Sequence, residues 1–138
     1  MLNRSRLFFY TLFLVVLCCS AAQAQNLNGR WTPIYQEMAG KALPENFYAV
    51  QSLIIADSTY KVLAESEDKG TISYKDGKMD IYGKEGINAG RHIMAIYKVA
   101  DGKLTICYIL KGDRYPEAFE TKGSPFCFMS VYEKAPKK

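Results

Sequence analysis

Few side chains in this sequence could carry out acid–base or nucleophilic chemistry. The chain has one histidine, His92, and its cysteines outside the apolar N-terminal stretch are Cys107 and Cys127. A zinc site needs three or four ligands, and a nucleophile needs a base that is oriented by a third group. His92 follows Arg91 at the start of a predicted strand, so we interpret it as a surface residue. The sequence predicts no enzyme, no cofactor and no metal site.

An acidic cluster is the second candidate for chemistry. Glu65, Glu67 and Asp68 lie close together between two predicted strands. Carboxylates bind Ca²⁺, but this segment lacks the glycine-bearing ligand spacing of a strong calcium loop. We therefore interpret the cluster as part of a solvated loop.

The two cysteines fall on adjacent predicted strands, twenty positions apart. Cys107 lies opposite the apolar face of its hairpin, and Cys127 reaches the same side if Phe126 and Phe128 face inward. A disulfide needs Cα atoms within about 4.4–6.8 Å and would contribute about 3 kcal/mol. A small shift in register would instead leave two buried thiols, so both alternatives stay open.

The N-terminal residues 1–24 have the pattern of a secretory signal peptide. Arg4 and Arg6 precede the uncharged apolar run Leu7–Cys19, and Ala22-Gln23-Ala24 supplies the small residues of a cleavage site. The apolar run is shorter than the roughly 20 residues of a membrane span. We expect cleavage after Ala24 and an exported protein, either periplasmic or secreted.

A lipoprotein anchor is the alternative, but the large Leu17 precedes Cys18. Residues 25–138 are then predicted to form one domain without a membrane span. Loss of Arg4 and Arg6 would lower the formal charge from +4 to +2. Such a weak charge predicts neither nucleic acid nor an anionic membrane as a partner.

The remainder of the chain has the pattern of an all-β protein, because short β-branched and aromatic runs alternate with turn residues. Asp76-Gly77 and Asp101-Gly102 indicate two-residue hairpin turns. They predict that Tyr74 pairs with Met79 and that Val99 pairs with Leu104. The eight predicted strands are Gly29–Glu37, Val50–Ala56, Thr59–Leu63, Gly70–Lys75, Lys78–Tyr82, His92–Val99, Lys103–Leu110 and Phe126–Glu133.

The predicted connections alternate between long and tight along the whole chain. In an up-and-down sheet, all long connections then lie at one end and all tight turns at the other. Eight antiparallel strands suffice to close a barrel that holds side chains or one small ligand. We predict an eight-stranded up-and-down barrel, with a flat meander or a sandwich as the alternative.

Tyrosine and aliphatic side chains are predicted to point into this barrel. Tyrosine combines apolar area with a polar tip, which suits a pocket for an amphipathic molecule. The same side chains could simply fill the core. The candidate ligand-binding residues are Tyr35, Leu53, Ile55, Tyr74, Tyr97, Ile106, Tyr108 and Phe128, and Tyr132 belongs to the same inward aromatic set.

The first strand opens with Gly29-Arg30-Trp31, which contains the single tryptophan of the chain. This triplet resembles the glycine-x-tryptophan signature of lipocalins, in which a large ring closes the barrel floor. In that family a basic side chain of the last strand covers the tryptophan. Lys134 matches this position, although lipocalins typically have arginine there, and lysine cannot make the same planar stack.

Three further segments resemble a short bacterial lipocalin-like family of the planctomycete type. They are Met38–Pro44, which contains glycine-lysine-x-leucine-proline; Ala95–Cys107, which resembles a hairpin ending in cysteine; and Arg114–Phe119, in which Tyr115 and Ala118 depart from the pattern. The resemblance spans Leu27 to Lys134. It implies a lipocalin-like barrel and a packing role for Cys107, and it brings no established activity.

Two functions are favoured by these sequence features, and a third, an enzyme that transfers a proton through a tyrosine or glutamate in the barrel, is supported by no nucleophile–base pair or metal cluster. The first is an exported binding protein that takes a small apolar or amphipathic ligand at the long-connection end. The second is a cell-envelope interaction domain with a filled barrel, whose loops Lys111–Pro125 and Gly83–Arg91 contact a protein partner. An internal cavity would favour the first function over the second.

Overall fold

The structure is a computed structural model that describes residues 25–137, so the predicted leader, residues 1–24, lies outside the described residues. The chain forms strands and one short helix. In order they are β1 (Gly29–Met38), β2 (Lys41–Ala42), α1 (Glu45–Tyr48), β3 (Ser52–Ala56), β4 (Thr59–Leu63), β5 (Glu67–Lys75), β6 (Lys78–Glu85), β7 (His92–Ala100), β8 (Lys103–Ile109) and β9 (Cys127–Lys134). None of the helical structure in residues 25–137 is long and apolar enough to cross a bilayer.

Eight of these strands close into an antiparallel barrel, as the sequence predicts. Each strand from β3 to β9 pairs with the next, and β1 pairs with both β3 and β9. The closing pair runs from Trp31 opposite Lys134 to Met38 opposite Phe128. β2 pairs only with the end of β1. β2 and α1 both lie between β1 and β3, in a segment that the sequence predicts to be a long connection.

The tight turns have the predicted conformations and set the register of their hairpins. Asp76 and Gly77 have φ values of 52° and 80°, and Asp101 and Gly102 have values of 53° and 72°. Both central residues of each turn are therefore left-handed, as a type I′ turn requires. The predicted pairs of Tyr74 with Met79 and of Val99 with Leu104 are present.

The predicted inward position of Tyr35 is wrong, because β1 contains a bulge. The register against β9 shifts between Pro33 and Tyr35. The extra residue reverses the alternation of faces beyond it. Tyr35 is therefore 37% exposed, and Gln36 takes the buried position instead.

The interpretation of the acidic cluster as a solvated loop is also wrong in part. β5 begins at Glu67, three residues earlier than predicted, and Asp68 is 6% exposed. Asp68 occupies an inward position of this strand, in step with Gly70 and Ile72, because side chains alternate between the faces. Glu65 and Glu67 remain exposed.

The tight-turn end of the barrel is closed by Trp31. Its indole Nε1 donates a hydrogen bond to the Leu27 carbonyl at 2.8 Å, and the Leu27 amide donates to Tyr74 Oη at 3.1 Å. The Lys134 Nζ lies 5.2 Å from the indole centroid. Gly29 has a φ of 134°, which favours glycine, and a Cβ there would be 2.7 Å from Lys134 Cε, so the lysine stem crosses close over the start of β1.

A small second core lies outside the barrel wall. Cys107, Ile109 and Cys127 are buried there against Phe119 of the β8–β9 connection. Both cysteines are free thiols, with the two Sγ atoms 3.3 Å apart. The long connection therefore packs on the barrel as a cover for this side.

Candidate functional site

A cavity of about 710 Å³ occupies the part of the barrel that lies away from Trp31, toward the long connections. Its deeper wall is apolar and comes from facing strands: Leu53, Val62, Ile72, Met79, Ile81, Ile93, Ile106 and Phe128. Below it, the barrel is filled by Trp31, Ile55, Tyr97 and Leu104. The barrel interior is therefore a packed core at its closed end and a cavity at its open end. The two sequence-based alternatives, a filled core and a ligand pocket, are both present at different depths.

The cavity opens at the end that carries the long connections. Its lining includes residues from each of them, such as Phe47, Ser66, Ile87 and Leu110. Within the described chain, no residue of the tight connections 57–58, 76–77 and 101–102 lines it. The geometry is that of a cup, closed at the Trp31 end and open among the loops.

Three large apolar side chains at the mouth are exposed. Phe47 and Val50, on and just after α1, are 56% and 69% exposed, and Ile87 in the β6–β7 connection is 81% exposed. All three belong to the cavity lining. Exposed apolar side chains grouped around an opening are typical of a ligand-binding entrance.

Tyrosine hydroxyls supply polar groups inside the apolar wall. Tyr108 Oη and Tyr132 Oη lie 3.0 Å apart and share a hydrogen bond, and Tyr60 Oη donates to Asp68 Oδ2 at 3.2 Å. Burial raises the pKa of Tyr60, Tyr108 and Tyr132 above its usual value, and the Asp68 charge adds to this effect at Tyr60. These phenols are therefore neutral hydrogen-bonding groups at any ordinary pH.

Asp68 connects the barrel wall to the β6–β7 connection. Its carboxylate accepts hydrogen bonds from the Asn88 backbone N–H at 3.1 Å and from Asn88 Nδ2 at 2.9 Å. Gly86, with a φ of 93°, brings the loop this close, because a Cβ there would lie 2.5 Å from the Glu67 carbonyl oxygen. The loop that carries Ile87 is thus held at the mouth by a buried acid.

A second polar group lies near the α1 side of the barrel. Gln36 Nε2 donates to Gln51 Oε1 at 3.0 Å and to Ser130 Oγ at 3.2 Å. Gln36 Oε1 is buried, and among the described residues it has no hydrogen-bond partner. This leaves one buried acceptor unsatisfied, and a buried acceptor of this kind is costly.

The predicted ligand-binding residues divide between the cavity and its surroundings. Leu53, Ile106, Tyr108 and Phe128 line the cavity, as does Tyr132. Ile55, Tyr74 and Tyr97 pack in the core without lining it. Tyr35 lies on the outer face, where its hydroxyl donates to Glu37 Oε2 at 2.7 Å.

Sequence reasoning missed the residues that give the cavity its polarity and its entrance. Asp68, Asn88 and Gln51 were not predicted to line it, and neither were the rim residues Phe47 and Ile87. Each lies in or beside a segment that was interpreted as a loop. One signal was available: Asp68 precedes Gly70 and Ile72 at spacing two, which continues the inward face of the predicted strand.

His92 lies on the outer barrel surface and away from the cavity. Its Nε2 is 2.7 Å from Asp80 Oδ1, Tyr115 Oη donates to Asp80 Oδ2 at 2.7 Å, and the imidazole stacks on Tyr82 at 4.4 Å. The cluster ties the β8–β9 connection to the wall. Residues 25–137 contain no group of three or more histidine, cysteine, aspartate or glutamate side chains that could hold a metal ion.

Comparisons with known proteins add no family. No protein-family model, curated protein or solved structure matches this chain. The closed eight-stranded barrel is a property of the structure, and membership of a lipocalin-like family stays a prediction from the sequence.

Proposed function

We propose that this protein is an exported, lipocalin-like binding protein that holds one small apolar or amphipathic ligand in its barrel. The observation that carries the proposal is the cavity of about 710 Å³ with its mouth among the long connections. Pockets that bind small molecules range over about 300–1,000 Å³, and they combine apolar walls with a few polar groups. This cavity has both features.

The wall and the entrance agree with this function. Aliphatic side chains from six strands face the cavity, and exposed Phe47, Val50 and Ile87 border its mouth. An apolar ligand would gain about 25 cal/mol for each Å² of its surface that leaves water. The filled floor beneath the cavity fixes the barrel shape, so the pocket is formed before the ligand arrives.

The test is saturable binding of N-phenyl-1-naphthylamine, a neutral probe that fluoresces in apolar surroundings. Val62 lines the cavity, so Val62→Trp should fill part of it. We expect the wild-type protein to bind one probe molecule and Val62→Trp to bind at least about tenfold more weakly, which corresponds to about 1.4 kcal/mol.

The matched control is Val131→Trp. Val131 is in β9 between Ser130 and Tyr132, whose side chains are buried inside the barrel, so it faces outward, and it does not line the cavity. This variant should bind the probe like the wild type. Unsaturable fluorescence, or equal binding by Val62→Trp and the wild type, would overturn the proposal.

A further inference from the structure

The cavity has an uneven distribution of charge. Glu65 and Asp68 line it, and in the part of the chain that the structure describes no lysine, arginine or histidine does so. Glu65 is exposed at the rim, whereas Asp68 is buried in the wall. Among the described residues, the charged side chains that a bound molecule would contact are therefore carboxylates.

The buried acid of the wall, Asp68, can also accept a further hydrogen bond. An ionised carboxylate offers about four acceptor positions, and three donors point at Asp68, from Tyr60 and Asn88. Acceptor capacity therefore remains on Asp68. The Tyr60 hydroxyl proton, by contrast, is already committed to Asp68.

From these observations we infer that the ligand is an apolar molecule with a protonated amine at its polar end, and that anionic amphiphiles such as fatty acids are rejected. The inference rests on the proposed binding function and adds its ligand class. An ammonium group supplies up to three donors and a positive charge, which match the remaining acceptor position on Asp68 and the negative charges of the two acids. A carboxylate would be held near Asp68 with no cationic side chain among the described lining residues to offset the repulsion.

The experiment compares three ligands that share one alkyl chain. Dodecylamine and dodecanoate, below their critical micelle concentrations, and dodecanol, below its solubility limit, compete with N-phenyl-1-naphthylamine for the purified protein at neutral pH and physiological salt. We expect affinity to fall in that order, with dodecylamine at least about tenfold tighter than dodecanoate. A dodecanoate affinity equal to or above that of dodecylamine would overturn the inference.

Charge-removing variants locate the effect. Asp68→Asn and Glu65→Gln should each reduce the ratio of amine to carboxylate affinity, and the double variant should bring it close to one. The matched control is Glu67→Gln, because Glu67 is adjacent to Asp68 but points outward to Lys61 and Lys69, at 3.6 and 3.5 Å. It should keep the wild-type ratio.

The outcomes separate the two proposals. If the probe and dodecanol bind but amine and carboxylate bind equally, the cavity is a binding site and only the amine preference fails. If neither the probe nor any of the three ligands binds, the binding function itself fails. Should Asp68→Asn not fold, Glu65→Gln and the order of affinities in the wild type still decide the inference.

Discussion

At the scale of single residues, Trp31 does the most to close the barrel. Its ring is 4% exposed, and Nε1 is bonded to the Leu27 carbonyl. We expect Trp31→Ala to lower the free energy of unfolding by about 3–5 kcal/mol, because it removes a large buried ring and leaves a hole in the floor. Chemical denaturation measures this loss.

Tyr82→Ala is the matched control for the truncation of Trp31. Tyr82 is an aromatic residue of the barrel wall, but its ring is 40% exposed. Its truncation should cost about 1 kcal/mol or less. A Trp31→Ala loss below about 1 kcal/mol would show that the floor does not depend on the indole ring.

The two cysteines give a prediction about reactivity. Burial and the neighbouring Cys127 raise the pKa of Cys107 to about 12, and Cys127 Sγ donates to the Glu120 carbonyl at 3.3 Å. The thiolate is the reactive form. Both side chains are also inaccessible, at 0% and 2% exposure, so we expect neither cysteine to react with a disulfide reagent in the folded protein at mildly alkaline pH.

When the protein is denatured without reductant, the same reagent should detect two free thiols in residues 25–137, those of Cys107 and Cys127. A count of zero in a monomer would mean that the cysteines form the disulfide that the sequence left open. The Cys107→Ser variant is a control, since it should release one thiol after denaturation.

Single residues also show where reading the sequence failed. The alternation of side chains predicted that Tyr35 points inward. A bulge after Pro33 shifts this alternation by one residue, so that Gln36 points inward and Tyr35 points outward. Proline in a strand is confined to edges, strand starts and bulges, so Pro33 was a usable warning. The register on the far side of a bulge depends on the partner strand, and a lone strand does not contain that information.

At the scale of elements, the long β8–β9 connection is fixed to β1 through a buried hydroxyl. Thr121 Oγ1 donates to Glu37 Oε1 at 2.6 Å and accepts from the Gly40 amide at 2.9 Å. The hydrogen bonds from Thr121 and then Tyr35 hold the pKa of Glu37 below its usual value. Glu37 therefore helps to dock this connection, together with the Tyr115–Asp80 hydrogen bond and the packing of Phe119.

The lowered pKa of Glu37 predicts a pH dependence. The folded state favours the ionised form, so its stabilising contribution is present above the unfolded pKa of about 4.3 and is lost as pH falls through the folded value. We expect Glu37→Gln to cost about 1 kcal/mol at neutral pH. The difference from wild type should shrink as the pH falls below about 4.

Urea denaturation at several pH values measures this difference. The matched control is Glu133→Gln, because Glu133 is an exposed acid on the neighbouring strand β9. The control should differ from wild type by less than about 0.5 kcal/mol at every pH. A Glu37→Gln cost that stays constant down to acidic pH would mean that the carboxylate charge does not stabilise the docked segment.

Elements were more predictable than the connections between them. The hairpin turns fix both conformation and register locally, so the pairing of β5 with β6 and of β7 with β8 followed from two Asp-Gly pairs. The position of Asp68 depends instead on the β6–β7 connection, which folds back to supply the Asn88 donors. From the sequence alone, Asp68 is predicted to be solvent-exposed because two other acids lie beside it and its distant partner Asn88 is not identifiable.

At the scale of the whole molecule, packing changes along the barrel axis. The floor half contains side chains with no exposure at all, including Ala95 and Leu104, whereas the mouth half surrounds the cavity. Local opening costs less where few apolar contacts must be broken. The two halves of one continuous sheet should therefore differ in local stability.

Amide hydrogen exchange followed by mass spectrometry tests this difference. We expect the slowest exchange in the strand segments near Trp31, Tyr97 and Leu104, and the fastest in the mouth segments 44–51, 64–66 and 86–91. Addition of a ligand that occupies the cavity should slow exchange in the mouth segments and leave the floor unchanged, because only the mouth gains contacts. Uniform exchange along the axis, or ligand protection confined to the floor, would contradict the picture of a rigid floor beneath a loosely packed, ligand-accepting mouth.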